Sequence, residues 1–187
     1  MFVPITALWL PILLSAVIVF VVSSLIHMIL PLHKNDYRKL PDEEKVMDAL
    51  RSAGVTPGRM YIFPYTTHKE MKLPEAREKF KRGPIGGITI RPTGVPGMAK
   101  FLIQWFLYCI VVGIFVAYLT GRTRAAGAPY LEVFRVAGAS AFLAYSVALI
   151  QDAIWKGEDW GVTFKHVVDG FIFALVTAGT FSWLWPK

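Results

Sequence analysis

Six polar side chains inside or at the ends of long apolar segments have the types for ligand chemistry: His27, Gln104, Gln151, Asp152, His166 and Asp169. Imidazole and carboxylate are metal ligands, and with the amides they can also hold a lipid headgroup or another cation. His166 and Asp169 are three residues apart and share one helix face. At 1.5 Å per residue, all six fall within roughly 10 Å of the same end of their segments. Ionisable groups at such depth are costly unless they face a partner, a cavity or water. The leading expectation is that these residues hold the helix ends in register by bonding one another or water. The sharper alternative is a polar pocket at that end. There is no HExxH, CxxC or paired-histidine haem spacing. The pattern therefore names no particular metal or cofactor and no catalytic residue.

Other candidates read more simply. His33 and His68 lie in the connection after the first segment and are expected to be solvated. The lone cysteine, Cys109, sits mid-segment as a small packing residue. Gly83-Pro84-Ile85-Gly86-Gly87 lacks the Lys-Ser/Thr ending of a phosphate loop and reads as a turn before a strand. Ser23 and Ser24 can bond back to their own helix backbone.

The elements that must position these groups are four apolar segments at 5–30, 101–120, 130–154 and 164–185. The first two carry no Asp, Glu, Lys or Arg. About 20 helical residues cross a bilayer core about 30 Å thick, and mean hydropathy is +0.48. The expected fold is an all-α membrane protein with four transmembrane helices. A small α+β cytoplasmic insertion, 31–100, separates helices one and two. No basic residue precedes the first segment, so it is expected to remain as a helix, not to be cleaved. The third segment is the least regular, with Arg135 and Gln151 bracketing its apolar core; Glu132 can pair with Arg135 one turn away. All six tryptophans fall near segment ends, where the headgroup zone favours indole. Gly170, Ala174 and Ala178 on segment four, and Ala137, Ala141, Ala144 and Ala148 on segment three, predict close packing of that pair.

Charge sets the orientation. Fourteen of the 20 Lys and Arg lie from Lys34 to Lys100, and Lys156 and Lys165 fall on the same side. Arg122, Arg124, Arg135 and Lys187 fall on the other. The positive-inside rule then places the long connection in the cytoplasm and both termini outside. The net charge of +7 thus reads as an orientation signal or anionic-lipid contact, and nucleic acid is not an expected partner. Within the connection, Pro41-Asp42-Glu43-Glu44 opens a short helix that Gly54 closes, and a second runs from Pro74 to Arg82. Met60–Tyr65 and Ile85–Ile90 have strand composition and are expected to pair as a hairpin covered by the first of those helices.

One resemblance spans most of the chain. It rests on Ile26-His27-Met28, Pro31-Leu32-His33-Lys34-Asn35-Asp36-Tyr37, Leu40-Pro41-Asp42-Glu43 and Val46-Met47-Asp48-Ala49-Leu50-Arg51. Gln104-Trp105-Phe106, Tyr108-Cys109 and the ending Trp183-Leu184-Trp185-Pro186-Lys187 belong to it too. The chain resembles a group of small bacterial four-helix inner-membrane proteins. The resemblance implies an inner-membrane location and carries no active site. The leading expectation is a non-enzymatic accessory or interaction subunit with a membrane-protein partner or a second copy of itself. A small oligomeric transporter, or a ligand- or metal-binding membrane protein using the polar pocket, is the alternative. A membrane enzyme using His27, His166 and Asp169 comes third.

Overall fold

In the computed structural model, which describes residues 2–187, the chain forms two units: Met1–Tyr37 with Gly97–Lys187, and Arg38–Pro96. The α-helices in chain order are α1 (Trp9–Ser24), α2 (Glu43–Ser52), α3 (Pro74–Arg82), α4 (Met98–Thr123), α5 (Tyr130–Tyr145), α6 (Ile150–Lys156) and α7 (Trp160–Trp183). The strands are β1 (Arg59–Phe63) and β2 (Gly86–Ile90). The protein is mostly helical with one small sheet. Four stretches of the first unit are long and apolar enough to cross a membrane: Ile5–Met28, Met98–Thr123, Tyr130–Lys156 and Trp160–Trp183.

Within that unit α7 packs along both α5 and α1, while α4 packs along α1 and α5. The expected small-residue seam is present. Ala137 and Ala141 on α5 and Ala178 on α7 have no exposed surface, and a Cβ added at Gly138 would lie 3.3 Å from that of Ala178. Small side chains let the two backbones approach closely, which maximises dispersion contacts between them.

Two of the long stretches are not uniform helices. After α1 the chain takes a π turn over Leu25–Ile29, closed by Leu30 N–H donating to the Leu25 carbonyl at 3.1 Å. The third stretch, expected as one helix, breaks at Ser146 (φ −124°, ψ −59°) and resumes through a 3-10 turn, Val147–Leu149, into α6. Tertiary contact explains the break. The Ser146 hydroxyl donates to the Val167 carbonyl at 3.0 Å, and the Tyr145 carbonyl lies against Gly170, which has no side chain to obstruct it. The irregular backbone is thus packed against α7, where protein groups meet it.

Three smaller expectations are corrected. Glu132 pairs with Arg124 at 3.7 Å, not with Arg135, because the chain before α5 folds back beside its first turn. Trp105 turns inward and donates from its indole N–H to the Ser23 hydroxyl at 2.8 Å, tying α4 to α1. Trp185 likewise donates to the Ala125 carbonyl at 2.9 Å, whereas Trp9, Trp155, Trp160 and Trp183 stay exposed.

The Arg38–Pro96 unit has the expected parts. β1 and β2 pair antiparallel, from Arg59 opposite Ile90 to Phe63 opposite Gly86. A Cβ at Gly86 would come within 3.1 Å of the Phe63 ring, so the bare glycine lets that ring lie over its partner strand. α2 buries none of its residues and therefore does not cover the hairpin as expected. Glu70 accepts from both the backbone N–H and the hydroxyl of Thr67, at 2.8 and 2.9 Å. The Thr67 backbone donor, followed by its hydroxyl, holds the Glu70 carboxyl below its ordinary 4.5. That turn therefore gains its stability above the ordinary value and loses it as pH falls through the lower folded one.

Candidate metal centre

Two segments build the site. The first is the end of the first apolar stretch and the turn after it. The π turn inserts an extra residue into the helical repeat and so re-aims the residues beyond it, a feature common at functional sites. His27 lies within it, and its Nδ1 is 3.0 Å from the Ser23 carbonyl. A carbonyl only accepts, so Nδ1 carries the proton and Nε2 keeps its lone pair. Pro31 then stops the helix and opens a 3-10 turn, Pro31–His33, that brings His33 back beside His27. Their rings stack at 4.4 Å between centroids, 6° from parallel.

The second segment is the start of α7. Asp159 caps it, accepting from the Gly161 and Val162 N–H groups at 2.8 and 3.1 Å. Within the next two turns or so, Lys165, His166 and Asp169 face the first segment. The His166 ring lies 5.3 Å from that of His33 and 15° from parallel.

Asp169 is the convergence point and is buried. Its Oδ2 is 2.9 Å from His33 Nε2, 3.8 Å from His27 Nε2 and 3.9 Å from His166 Nδ1. Four candidate ligand atoms, one from each of these residues, lie within 4.8 Å of one another. The pair at 2.9 Å is the informative one. His33 Nε2 and Asp169 Oδ2 are both buried, yet neither has a hydrogen-bond partner, so despite their closeness they are not aligned as donor and acceptor. His33 already gives its other nitrogen to Asp36: Nδ1 lies 2.6 Å from Asp36 Oδ2. In the neutral ring this leaves a lone pair on Nε2 facing the lone pairs of a carboxylate. Two acceptors at that distance repel unless a cation lies between or beside them.

Behind His33 stands a second layer. The Asp36 side chain is 2 % exposed, and its Oδ1 is 2.5 Å from Lys165 Nζ. Lys165 also donates to the Leu32 carbonyl at 3.0 Å. The hydrogen bond from Lys165, ahead of that from His33, holds the Asp36 carboxyl below its ordinary 3.8, against the opposing effect of burial.

Of the six residues expected in the pocket, the structure brings together His27, His166 and Asp169. Gln104 and Gln151 are exposed and do not join them. Asp152 pairs instead with Lys156 at 2.7 Å, one turn along α6. His33, expected to be solvated, is a central member, and sequence reasoning missed Asp36 and Lys165 altogether. One signal was available: His33 and Asp36 are three apart just beyond a helix-stopping proline, the spacing of a tight turn that returns toward the helix end.

This donor set selects by chemistry. Three imidazoles and one carboxylate suit a divalent first-row transition metal, which forms bonds of about 2.0–2.2 Å to such atoms. Calcium and magnesium prefer all-oxygen shells. Comparison with protein-family models, with curated proteins and with solved structures finds no match to this chain.

Proposed function

We propose that the protein is a multi-pass membrane protein that binds a divalent transition metal of the zinc class through His27, His33, His166 and Asp169. The observation that carries the reading is the buried, unpartnered pair of His33 Nε2 and Asp169 Oδ2, 2.9 Å apart. With the three histidines neutral, Asp169 is otherwise a buried carboxylate without a counter-charge, an arrangement that costs several kcal/mol. A metal ion resolves both problems at once. His27, with 42 % of its side chain exposed, gives the ion its route in.

The basic residues cluster on the side of the long connection, which supports a cytoplasmic location for the centre and for Arg38–Pro96. A reporter that is active only in the periplasm, fused after Lys72, is expected to be silent. Activity there would reverse the orientation. Exposed Val46 and Met47 on α2 favour a second, compatible reading, in which the protein is an accessory subunit that presents this helix to a partner.

Purified protein in mild detergent, loaded with zinc or cobalt(II) and desalted, is expected to retain one ion per chain by elemental analysis. The cobalt form should show the intense visible bands of a low-symmetry, four-coordinate site. Wild-type protein that retains no ion after loading would end the metal reading.

A further inference from the structure

Lys165 and Asp36 are 129 residues apart in sequence, yet they meet in the layer directly behind a metal ligand. Resting on the metal reading, we propose that Asp36 is the positioning residue of the centre. Held on one oxygen by Lys165, it uses the other to fix the His33 tautomer that can ligate.

Each atom of the Asp36 carboxylate has one task. Oδ2 accepts the His33 Nδ1 proton at 2.6 Å, which places the lone pair on Nε2, facing Asp169. Oδ1 accepts from Lys165, whose remaining contact is the Leu32 carbonyl just before His33. A carboxylate behind a ligating imidazole fixes ring orientation and raises ligand basicity, and its loss typically weakens metal binding 10–100-fold. Lys165 also cancels the charge of Asp36. The ion therefore meets a shell whose net negative charge is that of Asp169 alone, which suits a divalent cation among neutral imidazoles.

The arrangement gives Asp36→Asn a specific consequence. An asparagine amide has one oxygen and one NH2 where the carboxylate had two acceptors. The charged ammonium of Lys165 is the stronger claimant for the oxygen. The NH2 is then turned toward His33, which must accept at Nδ1 and carry its proton on Nε2. The ligand lone pair is lost although the fold is not. Adding Lys165→Met removes the competing ammonium, so the amide can flip, return its oxygen to His33 and restore the ligating tautomer.

The test is cobalt(II) affinity by competition with a chelator, on the full-length protein in detergent. Asp36→Asn is expected to weaken binding by about 10–100-fold, and the Asp36→Asn/Lys165→Met double variant to recover most of that loss. A merely structural Asp36 gives the opposite order, with the double variant no better than the single one. That result, or wild-type affinity in Asp36→Asn, overturns the proposal. Wild-type protein that takes up no cobalt would instead sink the metal reading. The tautomer claim is still decided in that case by the ¹⁵N shifts of His33, expected to show Nδ1–H in wild type and Nε2–H in Asp36→Asn. Unchanged shifts would overturn it.

Discussion

Asp169→Asn abolishes tight metal binding and, in chelator, leaves the protein as stable as wild type or more so. The two halves of this expectation have one cause. In the proposed centre this carboxylate would supply both a ligand and the one negative charge that Lys165 does not offset. Its removal should therefore cost more than the 10–100-fold typical of groups one layer further out. Without metal, that same charge is a burden. It is buried with three histidines around it, and the isosteric amide relieves the desolvation it suffers. Thermal unfolding in detergent, with EDTA and with zinc, should show the sign reverse. Zinc raises the wild-type midpoint by mass action, by about 2.7 kcal/mol of stability at 100 times the dissociation constant. It leaves Asp169→Asn unmoved. A variant that accumulates poorly and unfolds early in EDTA would mean that Asp169 holds the helices in register and binds nothing.

Gly170→Ala should be among the most damaging single-methyl changes in the chain. Alanine is the better helix former by about 1 kcal/mol, so in an unobstructed helix the change would stabilise. Here the added Cβ would overlap the Tyr145 carbonyl and the Ser146 hydroxyl, and the first of these is backbone. Backbone cannot rotate away, so α5 and α7 must separate along the seam that Ala137, Ala141 and Ala178 fill. Overpacking of this kind costs about 1–3 kcal/mol. Gly179→Ala, on the same helix, is the control. Its Cβ would meet only the Tyr130 hydroxyl, at 3.7 Å, an ordinary contact. Comparing midpoints of thermal unfolding, the first variant should fall below wild type and the second should not. Equal midpoints would show that the seam yields to an added methyl.

How far the sequence could be read depends on the range of the forces involved. The four apolar stretches were visible because transfer into lipid is a property of composition over some 20 residues. Their depth profile sufficed to associate His27, His166 and Asp169. The hairpin and the two short helices of Arg38–Pro96 carried local turn chemistry in Gly54, Pro74 and Gly83. The misses were all tertiary. Nothing in Ala144-Tyr145-Ser146-Val147 signals a break in the helix, because the break exists to fit Gly170 and Val167 on another helix. His33 lies beyond the apolar stretch, and only the π turn and the turn after Pro31 return it to Asp169. Gln104 lies exposed outside the cluster, and which face of a helix a residue takes is a distinction that hydropathy alone does not make.

The span of 129 residues between Asp36 and Lys165 also has a meaning in time. A ribosome adds roughly 5–20 residues per second, so the two halves of the centre are made about 6–26 s apart. For that interval His27 and His33 already exist, while the carboxylate and third imidazole that complete the shell do not. The centre cannot close until α7 has begun to emerge. On the metal reading, a nascent chain stalled before that point would offer a weak two-histidine site, and one that has passed it the full set. Capture of the ion would thus mark the moment at which the first and last of the four long apolar helices come together.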